Sequence, residues 1–350
     1  MVQPTDGGPL RVVPLDEQRF PDWDAFVEGH PQATFFHRAG WARVLNQVFG
    51  HEPHYLLAER DGRVEGVLPL ARVRSRLFGD ALISTPFCVY GGLVAENEAT
   101  VAALDQAACE HAEALGVDHL EYRHTRRRFP ARPARTDLYA TFRRPIAPDA
   151  ESNLLAIPRK QRRMVRQGIK SGLRSDWDAD ASRFYPIYAG SVHRLGTPVF
   201  PRRYFRILKE VFGEDCRILT ASKGREPLAS VLAFYFRDEV LPYYGGGLPE
   251  ARKAAAYDFL YWELMRRGCE AGAQIFDFGR SKQGTGAFSF KRNWGFEPEP
   301  LAYEYHLVRG SGIPDHNPLN PRYQRAIRWW RRLPLPVANL LGPLVIRSLA

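Results

Sequence analysis

"ILTASKGREPLASVLAFYF", residues 218–236, has an earlier counterpart in the same chain, "LLAERDGRVEGVLPLARV", residues 56–73. Each reads as a strand, a tight turn and a second strand, with the turns at Lys223-Gly224 and Asp61-Gly62. "VYGGLV" (89–94) then answers to "YYGGGL" (243–248). A helical stretch follows each, 99–115 ending before Gly116 and 254–271 ending before Gly272. In the second, Phe259, Leu260, Trp262, Leu264, Met265 and Cys269 recur close to a helical period with a broad buried face. Short strands come next, "VDHLEYR" (117–123) and "AQIFDFGR" (273–280). Each half therefore reads β-turn-β, β, α, β. Hairpins combined with a helical crossover require mixed sheets with flanking helices, so the expected class is a duplicated α/β protein. The expected divisions are a first half over 1–150, a basic connecting helix over 151–175, a second half over 176–310 and a separate tail over 311–350.

The chain has 350 residues, a length that suits two domains, and its 45% hydrophobic and 12% aromatic content can fill a core in each. No apolar run reaches the roughly 18–20 residues of a membrane span. "MVQPTDGGPL" at the start lacks a basic region followed by an apolar stretch, so no signal peptide is expected. Cys88, Cys109, Cys216 and Cys269 form no CxxC pair and read as thiols buried in a cytosolic protein. The histidines show no HExxH-like spacing, so no metal site is expected.

The net charge of +10 is concentrated in one place. Residues 123–174 hold fifteen Lys/Arg and three Asp/Glu, while the rest of the chain nets −2. A local basic field suits a phosphate-rich partner, and a solvated charge run explains the same composition. Within it, "IPRKQRRMVRQGIKSGL" starts near Pro158 and stops at Gly172. Arg159, Arg163, Arg166, Lys170 and Arg174 step by 4, 3, 4 and 4, which lines them on one helix face. Val165, Ile169 and Leu173 form the adjacent apolar stripe expected to dock that helix. In the tail, Arg325, Arg328, Arg331 and Arg332 accompany Trp329 and Trp330, before an apolar stretch broken by Pro334, Pro336, Gly342 and Pro343. That pattern suits an interfacial anchor, with peripheral membrane contact through residues 323–350. Packing back on the body or on a twin subunit remains open beside it.

Three motifs in order resemble the FemAB family of peptidoglycan-bridge aminoacyltransferases. "AAAYDFLYWELMRRGCEAGAQIFDFGRS" (254–281) is similar to the family's long helix, Ala/Gly turn and Tyr/Phe-Asp-Phe-Gly strand. "RKQRRMVRQGIKSGL" resembles its Arg-rich helix, and "FKRNWGF" (290–296) its Phe-Lys-x-x-Phe-Gly box. The resemblance covers about residues 20–308. It implies a tandem duplicated GNAT (acyl-CoA N-acyltransferase-like) fold and transfer of an aminoacyl or acyl group to an amine of a cell-envelope precursor. A cytoplasmic location is expected, with a peripheral position on the inner face of the bacterial cytoplasmic membrane as an option beside it. The chain lacks the coiled-coil arm of some members. Its Arg280-Ser281, in place of a glycine after Asp-Phe-Gly, looks like the branch associated with PEP-CTERM/exosortase and exopolysaccharide loci.

Acyl transfer to an amine needs positioned reactants, a stabilised oxyanion and a route for the amine proton. The resemblance places a substrate-contacting or intermediate-stabilising lysine at Lys291. Asp277 and Glu263 are candidate bases, and Tyr243 and Tyr244 candidate proton relays. The loop Ser281, Lys282, Gly284 and Gly286 lacks the P-loop ending, yet its small residues admit backbone amides to an anion or sugar. Arg280, at a strand end, could take a phosphate or carboxylate bidentately. Tyr90-Gly91-Gly92 and Tyr244-Gly245-Gly246 mark a strand with open backbone in each half, and in acetyltransferase-like folds the donor lies beside that strand. Gly247 extends the run only in the second half, which is therefore expected to be the active one. No cofactor is expected to be tightly bound. The donor is either aminoacyl-tRNA, gripped by Arg159, Arg163, Arg166 and Lys170, or acyl-CoA. "PEARKAAA" (249–256) lacks the glycine-rich pyrophosphate loop of CoA-binding relatives, which weighs against the second. A non-catalytic module binding an anionic polymer is the remaining alternative.

Overall fold

A computed structural model describes residues 8–75, 79–310, 312–313 and 321–349, except the side chains of 321–323. The chain packs as two compact units. One takes the described residues of 1–136, 301–315 and 348–350, the other those of 137–300 and 316–347.

The second unit carries the candidate site. Its elements in order are β1 (Tyr139–Thr141), β2 (Arg143–Pro145), α1 (Ala150–Ala156), α2 (Arg159–Lys170), β3 (Leu173–Asp178), α3 (Phe184–Leu195), α4 (Arg202–Phe212), β4 (Cys216–Lys223), β5 (Glu226–Phe236), β6 (Glu239–Gly247), α5 (Ala256–Glu270), β7 (Ile275–Asp277), β8 (Ser281–Lys282), α6 (Gly286–Asn293), β9 (Glu299–Pro300), α7 (Pro321–Trp330) and α8 (Leu335–Ile346). The main sheet has the order β2-β7-β6-β5-β4-β3. All neighbours are antiparallel except β6 and β7, which the crossover helix α5 makes parallel. That parallel pair meets only at Glu239↔Ile275 and Val240↔Phe276. Beyond Val240, β6 continues to Gly247 paired with β5 alone, so the sheet opens into a wedge along that edge. Val231, Val240, Leu260, Leu264, Met265, Phe276 and Trp294 fill the core between α5 and the sheet.

The same strand–helix–parallel-strand plan recurs in the other unit. There strand Gly79–Ser84 runs parallel to His119–His124 across helix Glu98–Leu115, and Ala302–Leu307 pairs antiparallel with His119–His124. Mixed sheets flanked by helices, laid out twice, are the expected class. Local expectations needed correction. Pro69 interrupts residues 56–73, so Leu56–Arg60 and Arg63–Leu68 form the hairpin while Leu70–Ser75 joins a different sheet. Residues 89–94 are not a strand beyond Val94. Gly92 is covered by the His124 ring, 2.1 Å from where a Cβ would stand, so Tyr90-Gly91-Gly92 is a buried loop. Residues 273–280 yield only a three-residue strand, because Gly279 (φ +64°) turns the chain while Asp277 Oδ1 accepts its N–H at 2.6 Å. Of the cysteines, Cys88, Cys216 and Cys269 are buried and Cys109 is partly so, all as free thiols.

Candidate active site

The Asp277 turn directs three successive carbonyls, those of Phe278, Gly279 and Arg280, toward α6. Thr285 caps that helix, its Oγ1 accepting the Phe288 N–H at 3.3 Å and donating to Lys282 O at 2.8 Å. One turn further on, the Lys291 ammonium donates to all three carbonyls, at 2.6, 3.0 and 3.0 Å. Its Nζ also lies 5.5 Å from the Phe142 ring centroid. The residue is half-buried as a whole, while its charged end is enclosed. Burial pulls the ammonium down to about 7; Asp277 draws it back up and Arg280 pushes it lower. The three carbonyls act against burial, because only the charged form can donate to all of them. Lys291 thus holds the Phe278–Arg280 backbone in shape, and a donor aimed elsewhere must be released from one of these bonds.

Around this centre the structure gathers several sequence candidates. Asp277 is 1% exposed and faces Lys291 electrostatically. Arg280 lies over the Tyr139 ring at 4.4 Å. Ser281 and Lys282 form β8, paired with Ala140 and Tyr139 of β1. The Ser281 Oγ is buried and has no hydrogen-bond partner among the described residues, a state that calls for a water or a substrate group. Gly284 (φ +76°) and Gly286 have open space where a Cβ would stand.

Other candidates lie elsewhere. Tyr244 is buried in an aromatic cluster with Tyr188, Phe200, Tyr204 and Phe205 of the α3–α4 layer, and its hydroxyl meets Tyr204 Oη at 2.9 Å. Tyr243 packs on Phe234 and Tyr244. Neither tyrosine belongs to the Lys291 constellation. Glu263 bonds Ser175 Oγ at 2.7 Å and Arg266 at 2.9 Å. Burial works to raise its pKa, but Arg266, Ser175 and Arg267 outweigh it and hold the carboxyl below its usual range, which makes it an anchor for α5 rather than a base.

The three glycines of β6 prove to be helix-packing positions. A Cβ on Gly246 would stand 2.8 Å from Ser191 Cβ and 3.0 Å from Ile187 O, on the α3 face. On the α5 face, a Cβ on Gly245 would stand 3.2 Å from the Tyr261 hydroxyl and one on Gly247 2.6 Å from the Tyr257 ring. Two strand residues span about 6.6 Å and four helix residues about 6 Å, so tyrosines at i and i+4 fit glycines at i and i+2. Tyr261 is the residue that sequence reasoning missed. It reaches the open edge of β6 and also packs on Phe278 and Phe290, 5.2 and 5.5 Å between centroids. The glycine spacing beside a Tyr-x-x-x-Tyr helix was the available signal.

Arg159, Arg163, Arg166 and Lys170 are exposed on α2, and none has an ion-pair partner among the described residues. The docking face differs from the expected stripe. Gln161, Val165 and Gly168 are buried, whereas Ile169 is 48% exposed and Arg174 sits on β3. Gly168 lets α2 approach α5 to within 2.7 Å of Phe259 Cβ, measured from a built Cβ. Gln161 and the Trp294 indole both donate to Asp258 Oδ1, at 2.6 and 3.2 Å, tying α2 to α5 and to the end of α6. The β6–α5 link forms a short 3-10 turn (Pro249–Arg252) with Ala251 and Ala255 buried. Among the described residues no group of three His, Cys, Asp or Glu could hold a metal ion, and no helix is long and apolar enough to cross a membrane.

Residues 157–292, which include the wedge and Lys291, match the acetyltransferase (GNAT) domain family. No curated protein matches the chain in sequence. Among solved structures, FemX is similar with a TM-score of 0.66 at 16% identity, over 84% of this chain and 97% of that one. The C-terminal domain (DUF2156) of a putative lysylphosphatidylglycerol synthetase from Agrobacterium fabrum gives 0.57 at 13%, over 84% and 92%. A tandem GNAT protein from the clavulanic acid biosynthesis pathway gives 0.53 at 14%, over 87% and 100%. At these identities the likeness speaks for the fold, and the family match speaks for the wedge. Residues 157–292 are an acyltransferase domain of the GNAT type, within a chain of the tandem GNAT fold.

Proposed function

We propose that the chain is a FemAB-like N-acyltransferase that moves an aminoacyl group onto an amine of a cell-envelope precursor, with the second unit as the active one. One observation carries the reading: the opening between β6 and β7, bordered by Tyr261 and by the Phe278–Arg280 backbone that Lys291 clamps. An acyl ester entering there meets a fixed cation, an orphan hydroxyl at Ser281 and a buried carboxylate at Asp277. Lys291 in its charged form stabilises the oxyanion by giving up one carbonyl, Asp277 favours that form against burial, and the proton lost by the attacking amine passes to the released tRNA 3′-oxygen as the ester bond breaks. Arg280 and Lys282, with the Gly284–Gly286 loop, receive the anionic part of the acceptor. The resemblance of the chain's motifs to the peptidoglycan-bridge aminoacyltransferases supports a peptidoglycan precursor as that acceptor. The Arg280-Ser281 pair supports an exopolysaccharide sugar of an exosortase system as the second choice.

Aminoacyl-tRNA is the donor we favour. The β6–α5 link is a closed turn with two buried alanines where a CoA pyrophosphate loop would be, and α2 presents four unpaired cations in the same unit. The splayed strand pair is what speaks for acyl-CoA instead. The test combines two measurements on the full chain. Transfer of a labelled amino acid from charged total tRNA to a peptidoglycan precursor with a free side-chain amine is expected, with no calorimetric response to acetyl-CoA. tRNA affinity should fall steeply with salt, and Arg163→Glu with Arg166→Glu should lower the slope of log K against log salt by about two units. Saturable acetyl-CoA binding with salt-independent or absent tRNA binding overturns the tRNA donor in favour of the thioester.

A further inference from the structure

The two tail helices raise a question that acyl transfer does not answer. Helix α8 has no charged residue, yet only one side of it is covered. Ala338, Gly342 and Ile346, spaced by four, are buried. Gly342 lies on the Val199 backbone, with a built Cβ 2.9 Å from Val199 N and 3.0 Å from its O. The α7 side is held as firmly. His193 Nε2 meets Trp330 O at 3.1 Å, Arg331 donates to Leu195 O at 2.9 Å, and Gly196 packs against Ile327. The tail is therefore a fixed part of its unit.

The opposite side is apolar and open. Val337, Leu340 and Leu344 fall three and four apart on one face of α8, with exposures of 40, 75 and 65%. Leu335, Trp329 and Leu195 are also exposed, at 36, 60 and 65%. Six of the eight large hydrophobic residues exposed among the described residues thus belong to the tail or to the α3 end against which it packs. A concentration of this kind marks an interaction surface. Its electrostatic setting identifies the partner. Residues 321–350 contain six arginines and no acidic residue. Arg325, Arg328 and Arg332 are exposed and have no ion-pair partner among the described residues. A two-fold dimer through this face would bring like patches of arginine together, which costs energy at short range. An anionic lipid surface satisfies both halves of the patch, because its acyl boundary takes leucine and tryptophan and its headgroup phosphates take arginine.

We propose that α7 and α8 dock this protein on an anionic bilayer, with Trp329, Leu335, Val337, Leu340 and Leu344 in the headgroup–acyl boundary and Arg325, Arg328 and Arg332 on phosphates. Binding is scored without donor or acceptor, so its outcome is separate from that of the acyl-transfer reading. The experiment is flotation of the full chain with phosphatidylcholine vesicles and with the same vesicles containing phosphatidylglycerol. Flotation is expected with the anionic vesicles only, and it should weaken as salt rises. Leu340→Ser with Leu344→Ser changes two exposed side chains, and should reduce partitioning at least roughly tenfold with circular dichroism unchanged. Arg325→Gln with Arg328→Gln should reduce it by about tenfold or more on anionic vesicles. The proposal is overturned by absence of flotation, by equal flotation on neutral vesicles, by leucine variants that bind as wild type, or by a stable dimer in light scattering that the leucine variants dissociate.

Discussion

Lys291→Met removes an ammonium and keeps a stem of similar length, so its effect can be worked from the cage itself. The three bonds to the Phe278, Gly279 and Arg280 carbonyls are charge-assisted. At roughly 1.5–3 kcal/mol each they contribute about 4.5–9 kcal/mol together. Burial opposes them, helped by Arg280 and partly offset by Asp277. The resulting fall from 10.5 to about 7 corresponds to about 5 kcal/mol, less after discounting for the half-open surface of the residue. The two effects offset to within a few kcal/mol. A net change of about 1–2 kcal/mol moves the melting midpoint by roughly 3–8 °C for a unit of this size. Turnover is expected to respond far more, because loss of a fixed donor at a developing oxyanion costs roughly 10²–10³ in kcat. Lys291→Arg should not restore it, since a planar guanidinium cannot aim three donors at three convergent carbonyls. The assay is single-turnover transfer of labelled amino acid from charged tRNA, with the melting curve taken on the same preparation. A kcat within a few-fold of wild type refutes the catalytic role. A collapse of the melting midpoint refutes the offset on which the estimate rests.

Two further outcomes follow from buried geometry. Gly246→Ala places a methyl 2.8 Å from Ser191 Cβ and 3.0 Å from the Ile187 carbonyl; overpacking should lower unfolding free energy by about 1–3 kcal/mol in urea titrations, and an unchanged midpoint would show that α3 does not press on β6. His37 accepts the Thr34 N–H on Nδ1 at 3.0 Å and donates from Nε2 to Gly92 O at 2.8 Å, so the network assigns it the neutral form. Burial pulls it down to about 4, against backbone bonds to Gly92 and Thr34 that raise it. The unfolded chain therefore takes up the proton first as pH falls. Stability that is complete above the ordinary histidine pKa is lost between about 6.5 and 4, by roughly 3 kcal/mol from this residue alone. His37→Gln should flatten the pH dependence of the urea midpoint over that window, and parallel losses in both proteins would contradict the assignment.

Much of this architecture is legible in the sequence because the signals are local. The turn at Lys223-Gly224 lies between two runs that pair from Cys216↔Phe234 to Lys223↔Glu226, with one register shift at Ala221/Ser222. The apolar period of residues 254–271 and the stop at Gly272 foretell helix Ala256–Glu270. The basic helix runs Arg159–Lys170 between the flanking Pro158 and Gly172, although Arg174, counted on its face, sits on β3. Lys291 stands out in the sequence only through its resemblance to a family box, and the fold brings it within electrostatic reach of Asp277 and Arg280.

Tertiary packing decided the rest. Tyr244 and Gly245 are adjacent in sequence, yet one faces the α3–α4 aromatic layer and the other Tyr261 of α5, since neighbouring residues on a strand point to opposite faces. Ile169 looks like part of a docking stripe, but Gly168 is where α5 comes closest, and Ile169 remains outside. The chain determined by itself the hairpin around Lys223-Gly224 and the helices Arg159–Lys170 and Ala256–Glu270, because φ/ψ preference and hydrophobic period act over a few residues. Only the folded structure determined that three carbonyls meet one ammonium and that β6 leaves β7 after two residues. Those outcomes depend on where a turn at Gly279 delivers the chain in space, which no run of neighbouring residues encodes.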